Sequence, residues 1–476
     1  MARAFYLTTT LPYVNADPHI GFALEIVQAD IIARYRILAG DEVFFNTGTD
    51  EHGLKIYRKA QEEGKDTQAY IDEYAAKFRN LKEKLNLSPD LHFIRTTDAH
   101  HVSAAQEFWQ RCENDIYKKK YKGLYCVGDE AFLKESDLVG GKCPNHPTMD
   151  PIEVEEENYF FKLSAYTHQL LAYLATEGVV LPEWRRQEAI NFVKQGLEDF
   201  SISRVKEKMP WGVPVPGDDG QVMYVWFDAL TNYITTLGWP EDAEDNFKKF
   251  WEGGETIQLA GKDQVRFQSV MWQAMLMSAG LPTTKRVVYH GFITSGGQKM
   301  SKSVGNVIDP IAIVEEYGSD ALRYFLARHV HPFEDSDVTL EKFKEAYNAD
   351  LANGIGNVTA RIMQLAETNL KEPIVQPEPV GFPDQYVKAL ESYNYNDAMG
   401  FVTQQIQNLD LKISEQQPFK LIKENPESGR FVISELCAEL YHIGLWLQPF
   451  VPATSNAINA AVIANKKPEN LFPRKE

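Results

Sequence analysis

A histidine, a cluster of acidic and basic residues and a pair of lysines are the groups whose placing could do chemistry in this 476-residue chain. His19 lies in PHIGF, directly after the Pro- and Asn-rich loop LPYVNAD and directly before Ile20 to Leu38, where apolar residues recur at helical spacing. An imidazole at a helix N-terminus stands beside outward-facing N–H groups and the positive end of the helix dipole, which makes a site for phosphate oxygens; His19 could equally serve only as the cap of that helix. Asp50-Glu51-His52-Gly53 closes the run EVFFNTGT, so charged groups are delivered to a strand's C-terminal end. Ligands sit at that edge of open parallel sheets, and Asp50 and His52 are expected to face the same crevice as His19. Gly296 to Asn306 reads GGQKMSKSVGN. Its Lys299 and Lys302, in a loop rich in Gly and Ser, suit a mobile clamp on polyphosphate or, alternatively, a solvated surface loop. Neither GxGxxG nor GxxxxGK[ST] occurs, so the dinucleotide and P-loop signatures are absent.

The elements that must position these groups alternate. Arg3 to Thr10 reads as a strand, Ile20 to Leu38 as a helix, Glu42 to Thr49 as a strand, Asp66 to Leu85 as helical, His92 to Thr96 as a strand and Ala99 to Tyr121 as a helix. Such alternation means a doubly wound parallel sheet. From Lys122 to Gln221 it breaks into short strands and Gly or Pro punctuation, as an insertion does, and then resumes. Val222 to Phe227, Thr256 to Ala260 and Arg286 to Thr294 read as strands, with Val265 to Ala279 as a helix. After Asp309 the pattern is helical, from Ile311 to Ala327 and from Leu340 past Leu370, then a Pro-rich break at Pro373 to Pro383 and a bundle to Ile463. The fold class expected is α/β, a split Rossmann-like parallel sheet with an inserted connective domain and a C-terminal α-helical bundle. Its parts would be 1–121 and 222–308 for the sheet, 122–221 for the insertion, 309–345 for a linker and 346–476 for the helical domain.

The length suits two or three domains, and 44% hydrophobic with 24% charged residues is ordinary for a soluble protein. No apolar run approaches the ~20 residues of a membrane helix, and a core strand beginning almost at Met1 leaves no room for a leader, so a cytoplasmic protein with no membrane partner is expected. Four cysteines agree with a reducing compartment, Cys112 and Cys437 reading as inert core residues on apolar helical faces. A net charge of −18 counts against broad nucleic-acid binding, so any RNA must be held by a local patch and by bases read one at a time.

PHIG after the first strand and KMSKS after the last resemble the signatures of the class I aminoacyl-tRNA synthetases. TLPYVN at 10 to 15, GTDEHG at 48 to 53, ENYFFKLS at 157 to 164, DFSISR at 199 to 204, WGVPVP at 211 to 216, YVWFDAL at 224 to 230, GKD at 261 to 263 and NGIGNVTAR at 353 to 361 resemble the methionyl-tRNA synthetases in particular. The resemblance implies joining of the methionine carboxylate to the α-phosphate of ATP with Mg²⁺ present, release of pyrophosphate, and transfer of the methionyl group to the 3′-terminal ribose of tRNA(Met). It assigns catalysis to His19, Lys299 and Lys302, with Lys302 at the leaving pyrophosphate on a loop ordered only when ATP is bound. ATP would also meet Gly21, Met300 and Ser301, and its ribose Gly261 and Asp263. Asp50 would hold the methionine amino group, and Leu11, Tyr13, Trp226, Leu230, Tyr233 and Gln268 would line the side-chain pocket. Asn357 and Arg361, one helical turn apart, would read anticodon bases, with Phe472 stacking on them. With no further domain in view after Phe472, a monomer is expected.

The sequence departs from that family at three places. Phe22 stands where the family has a second histidine, and Asn15 or the Gly21 backbone could supply the missing donor. Gln268 stands where relatives commonly have His. Cys126-x-x-Asp129 and Cys143-x-x-His146 keep the pairwise spacing of a zinc knuckle, but with Asp129 in a cysteine's place, so the insertion either binds zinc or is held by packing alone. Two rival readings remain. A class I synthetase for another apolar amino acid would need a larger editing insertion than ~100 residues. A noncatalytic tRNA-binding relative is opposed by intact KMSKS, Asp50 and Trp226.

Overall fold

AFYLTT is rich in aromatic and β-branched side chains, and in the computed structural model it forms the strand Ala4–Thr9, buried at every residue but its first. Residues 2–128, 131–133, 138–144, 147, 149–300, 306–378 and 381–476 are described, the side chains of Tyr121, Ala131, Phe132 and Lys299 excepted. This strand pairs in parallel with Glu42–Thr49 on one side and Glu255–Gly261 on the other. Leu91–Arg95 extends the first edge; Arg286–His290 and then Val180–Leu181 extend the second, completing a six-stranded sheet. All its pairings are parallel, as uninterrupted apolar runs require when both faces are covered. Gly48, two residues before Asp50, has to be glycine, because a Cβ there would collide with the Ile94 carbonyl of the neighbouring strand.

The chain divides into two units that alternate along the sequence. The first holds residues 1–18, 40–80 and 90–290, and the second holds 19–39, 81–89 and 291–476. Three expectations for the first unit fail in instructive ways. The helix from Ala99 stops at Arg111, and Ile116–Cys126 is a strand antiparallel to Ile152–Phe161. Lys120 and Lys122 stand opposite Glu157 and Glu155, a cross-strand charge match that a helix would not offer. Val222 to Phe227 is no strand of the main sheet. Asp218–Met223 instead joins Ser203–Val205 and Pro214–Val215 in a separate antiparallel sheet, and Val225–Leu230 is a short helix. Aromatic and β-branched residues favour a strand there, but burial of Val225, Phe227, Asp228, Ala229 and Leu230 decides otherwise. Val180–Leu181, inside the expected insertion, belongs to the main sheet; two residues are too few to signal a strand.

In the second unit Ile20–Leu38 is a helix with the expected bounds. Its Asp30 is fully buried and meets the equally buried Arg323 at 2.7 Å. Arg323 also donates to the carbonyls of Phe450 at 2.7 Å, Pro449 at 2.9 Å and Leu85 at 3.2 Å, while Ser88 N–H donates to Asp30 at 2.6 Å. One buried ion pair thus ties four separate chain segments together. The helix expected from Ile311 to Ala327 is two helices, Pro310–Tyr317 and Ser319–Arg328, parted at Gly318 with φ 90°. The long helix from Leu340 is three pieces, Leu340–Ala346, a π-helical Tyr347–Gly356 kinked at Gly354, and Asn357–Asn369. Helices Asp384–Glu391, Tyr395–Gln416, Pro426–Leu447 and Pro452–Ala464 complete the unit's bundle. No helix among the described residues is long and apolar enough to cross a membrane.

Candidate active site

The loop leaving the first strand and the end of its neighbour are stitched together by backbone hydrogen bonds. Asp50 N–H donates to the Pro12 carbonyl at 3.0 Å and Val14 N–H donates to the Asp50 carbonyl at 3.2 Å. Leu11, Tyr13 and Asp50 are thereby presented on one rim. The helix Val225–Leu230 brings Trp226 and Leu230, the next helix brings Tyr233, and the π-helical turn Phe267–Met271 brings Gln268. These seven side chains line one cavity of about 320 Å³, together with residues the sequence did not single out, among them Lys55, Ala229 and Asn232.

Its walls are aromatic and stacked. Trp226 lies on Phe267 with ring centroids 3.9 Å apart and planes 14° from parallel. Gln268 Nε2 donates to the Tyr233 hydroxyl at 2.9 Å, so that oxygen accepts from the amide and turns its own hydrogen elsewhere. Gln268 Oε1 and Asn232 Oδ1 are buried acceptors with no hydrogen-bond partner among the described residues. Asp50 is 8% exposed at the rim. A carboxylate at one end of an aromatic and apolar slot suits a ligand with an ammonium group and an apolar side chain.

His52 does not share Asp50's role. It is buried, and its Nδ1 lies 2.6 Å from Asp228 Oδ2; His101 Nε2 lies 2.9 Å from the other oxygen of that carboxylate, and His101 Nδ1 lies 2.8 Å from the Thr235 hydroxyl. Burial pushes the Asp228 carboxyl up, but the two imidazoles outweigh it and hold it at about 2. An ionised carboxylate only accepts, so both rings present N–H to it, and His101 pairs through its other nitrogen with the Thr235 hydroxyl. The expectation that His52 faces a ligand crevice is therefore corrected. Asp228 escaped notice because it sits inside the apolar run YVWFDAL.

At the start of helix Ile20–Leu38 the first N–H groups are already engaged. Ile20 N–H donates to the Ile308 carbonyl at 3.1 Å, and Gly21 N–H donates to His19 Nδ1 at 3.1 Å. His19 is thus the cap, and the expectation of open N–H groups is corrected. Capping and ligand binding are compatible, however. A neutral ring that accepts at Nδ1 carries its proton on Nε2, so exposed His19 is a donor on its outer side. The Gly21 N–H is not at hand to replace a donor lost at Phe22.

Gly261 ends its strand and is buried, while Asp263 follows exposed, its carboxylate accepting from Gln264 at 3.1 Å. Of the KMSKS residues, Met300 and the Lys299 backbone are described; Ser301 and Lys302 lie outside the described residues. So do Asp129 and His146, whereas Cys126 and Cys143 are each 1% exposed. Among the described residues no group of three or more His, Cys, Asp or Glu side chains is arranged so that it could hold a metal ion. Asn357 opens its helix exposed, and Arg361 on the same face is ion-paired with Asp410. Phe472 is 5% exposed and packs edge-on against Tyr347 at 6.0 Å, so it has no face to offer a base. An aromatic at the surface of this unit is Phe419, 46% exposed, on the helix Pro418–Glu424 that packs against Asn357–Asn369.

Comparison with known proteins places these features. Residues 5–150 and 148–363 match the family described as tRNA synthetases class I (M). The chain is 41% identical to a methionine–tRNA ligase of Mesorhizobium japonicum over 99% of its own length and 97% of that protein, and 40% identical to one of Brucella suis over 95% and 90%. Among solved structures, Mycobacterium tuberculosis methionyl-tRNA synthetase in complex with methionyl-adenylate superposes with a TM-score of 0.88 at 37% identity, over 100% of this chain and 99% of that one.

Proposed function

The chain belongs to the methionine branch of the class I tRNA synthetases, and from that premise we propose that the cavity beside Asp50 is where its amino acid binds. The enzyme activates L-methionine with ATP to methionyl-adenylate and pyrophosphate, then charges tRNA with the methionyl group. A carboxylate oxygen of methionine attacks the α-phosphorus, the bond to the pyrophosphate oxygen breaks, and a hydroxyl of the terminal ribose of tRNA later displaces AMP from the carbonyl. Attacking and leaving oxygens must lie in line while charge builds on the phosphates, so the protein's work is positioning and electrostatics.

The observation that supports the cavity is the single slot joining Asp50 to Leu11, Tyr13, Trp226, Leu230, Tyr233 and Gln268. Asp50 takes the ammonium, and Trp226, stacked on Phe267, takes the thioether together with Tyr233, since a polarizable sulfur suits aromatic edges. On the nucleotide side, His19, Lys299 and Lys302 oppose the phosphate charge, with Gly21, Met300 and Ser301 beside them, Gly261 and Asp263 at the ribose and Mg²⁺ accompanying ATP. Asn357 and Arg361 read anticodon bases of tRNA(Met). Asp410 orients the Arg361 guanidinium through one of its nitrogens, leaving other N–H donors for a base edge. Phe419 replaces Phe472 as the stacking aromatic proposed. The catalytic halves are 1–121 and 222–308, with the strand Val180–Leu181 added from the 122–221 insertion; 309–345 links them to 346–476. The enzyme works as a cytoplasmic monomer, which light scattering tests for assembly. Elemental analysis after dialysis separates a zinc-bound insertion, with Cys126, Asp129, Cys143 and His146 as ligands, from a metal-free one.

Pyrophosphate exchange into ATP, run with each amino acid in turn, is the deciding measurement. Methionine should be the amino acid that drives it, and Asp50→Ala should cost about 2–5 kcal/mol of kcat/KM for methionine, because the ammonium then enters a partly dry slot unpaired. A different preferred amino acid, or unchanged kinetics in Asp50→Ala, would overturn the assignment.

A further inference from the structure

The buried His52, Asp228 and His101 take no part in the steps above, yet they stand between the two halves of the cavity's specificity. Asp50 is followed by two residues that are each locked. Glu51 is fully buried; its carboxylate accepts from Thr49 at 2.6 Å, from Arg95 at 2.7 Å and from the Thr97 hydroxyl, its carbonyl accepts from Trp211 Nε1 at 2.7 Å, and its N–H donates to Thr96 at 2.9 Å. His52 is locked in turn by its 2.6 Å hydrogen bond to Asp228. Asp228 lies on the helix Val225–Leu230, whose Trp226 and Leu230 are four residues apart and face the cavity together. Two residues from Trp226, Asp228 leaves the helix on the other side, where His101 from the helix Ala99–Arg111 holds its second oxygen. A single carboxylate therefore joins the loop that carries Asp50 to the back of the helix that carries the wall.

We propose that His52, backed by Asp228 and His101, is a positioning residue for methionine: it fixes the separation between the carboxylate that takes the ammonium and the wall that takes the side chain. The proposal rests on the reading of the cavity as the methionine site. A fixed separation measures side-chain length, so the device should matter most for telling methionine from ethionine, which is one methylene longer. It should matter little for ATP.

The test compares His52→Ala, His52→Asn and His52→Gln, with concentrations set by active-site titration so that misfolded protein is not counted. The Asn amide nitrogen falls near the place of Nδ1 and can still donate to Asp228, whereas the Gln amide reaches toward the place of Nε2. His52→Ala and His52→Gln should raise KM for methionine on the order of tenfold and shrink the methionine-over-ethionine preference several-fold, with KM for ATP unchanged within about twofold; His52→Asn should stay within about threefold of wild type. If His52→Ala does not fold, the contrast of Asn with Gln carries the test. Equal rises in both KM values, an unchanged ethionine preference, or no difference between Asn and Gln would reduce the trio to scaffolding and overturn the proposal. Failure of the methionine-site reading itself would show differently, as wild-type exchange driven by another amino acid or as insensitivity to Asp50→Ala.

Discussion

Phe22 and His19 illustrate how one side chain can hold two duties and its neighbour none. His19 caps its helix through Nδ1 and, in the role proposed for it, would offer Nε2–H to a phosphate, whereas the phenyl ring of Phe22 has no proton to donate. One donor at a transition-state charge is worth ~10²–10³ in rate when nothing replaces it, so Phe22→His should raise kcat for exchange by less than that factor from an already active wild type. Inactive wild-type protein rescued by Phe22→His would mark the motif as damaged. Asp228 gives a pH prediction with a definite sign. Its carboxyl is held at about 2 against an ordinary 3.8, so its contribution to stability is complete above about pH 4 and is lost as pH falls through about 2. Thermal melts in that window should fall less steeply for Asp228→Asn than for wild type. Burial pushes the Cys112 and Cys437 thiols to about 12, so neither should react with iodoacetamide in the native state at pH 8, as mass spectrometry can check. Leu11, Tyr13, Asp50, Trp226 and Leu230 were legible because they stood in quotable motifs, whereas Tyr233 and Gln268 came from the family resemblance alone. His101 and Asp228 were not legible, since a polar residue in an apolar run reads as noise until its partners, far off in sequence, are seen beside it.

Elements were legible where period and length agreed. Ile20–Leu38 and Glu42–Thr49 came out with the bounds expected, because a helix cap and a glycine punctuate them. The errors cluster where local preference and tertiary packing disagree: Ile116–Cys126 finds its glutamates only across a hairpin, and Val225–Leu230 coils in spite of its aromatic residues. Arg323 shows how a helix is assigned to its unit by something other than its own pattern. Removing it in Arg323→Ala would leave Asp30 ionised and buried with one arginine, Arg34, at its edge. A loss of about 3–5 kcal/mol in denaturant unfolding is expected, because removing one partner of a buried ion pair costs more than the pair contributes. A loss below ~1 kcal/mol would mean that Arg34 and the Ser88 N–H suffice for Asp30 without Arg323.

For the whole molecule, a net charge of −18 sets the terms on which RNA can approach. That charge opposes long-range attraction, so discrimination is expected from short-range contacts such as those proposed for the Asn357 and Arg361 face. Arg361→Ala should lower aminoacylation of tRNA by about 1–3 kcal/mol of kcat/KM, a far larger fall than in methionine-dependent exchange; equal falls in the two assays would refute the role. The interleaving of 19–39 and 81–89 with the second unit was not visible in the sequence, which suggested a split sheet domain with an insertion and then a helical domain, because those two segments look like ordinary members of the sheet domain. That weaving has a consequence for synthesis. A ribosome makes Asp30 early and Arg323 much later, and the carbonyls of Pro449 and Phe450 that steady the arginine come almost last. The helix that His19 caps therefore waits through nearly the whole of translation, with Asp30 matched by Arg34 of its own helix but not yet by Arg323. Ribosome-bound nascent chains ending before Pro449 should leave that helix open to protease, and activity should emerge only with the last helices.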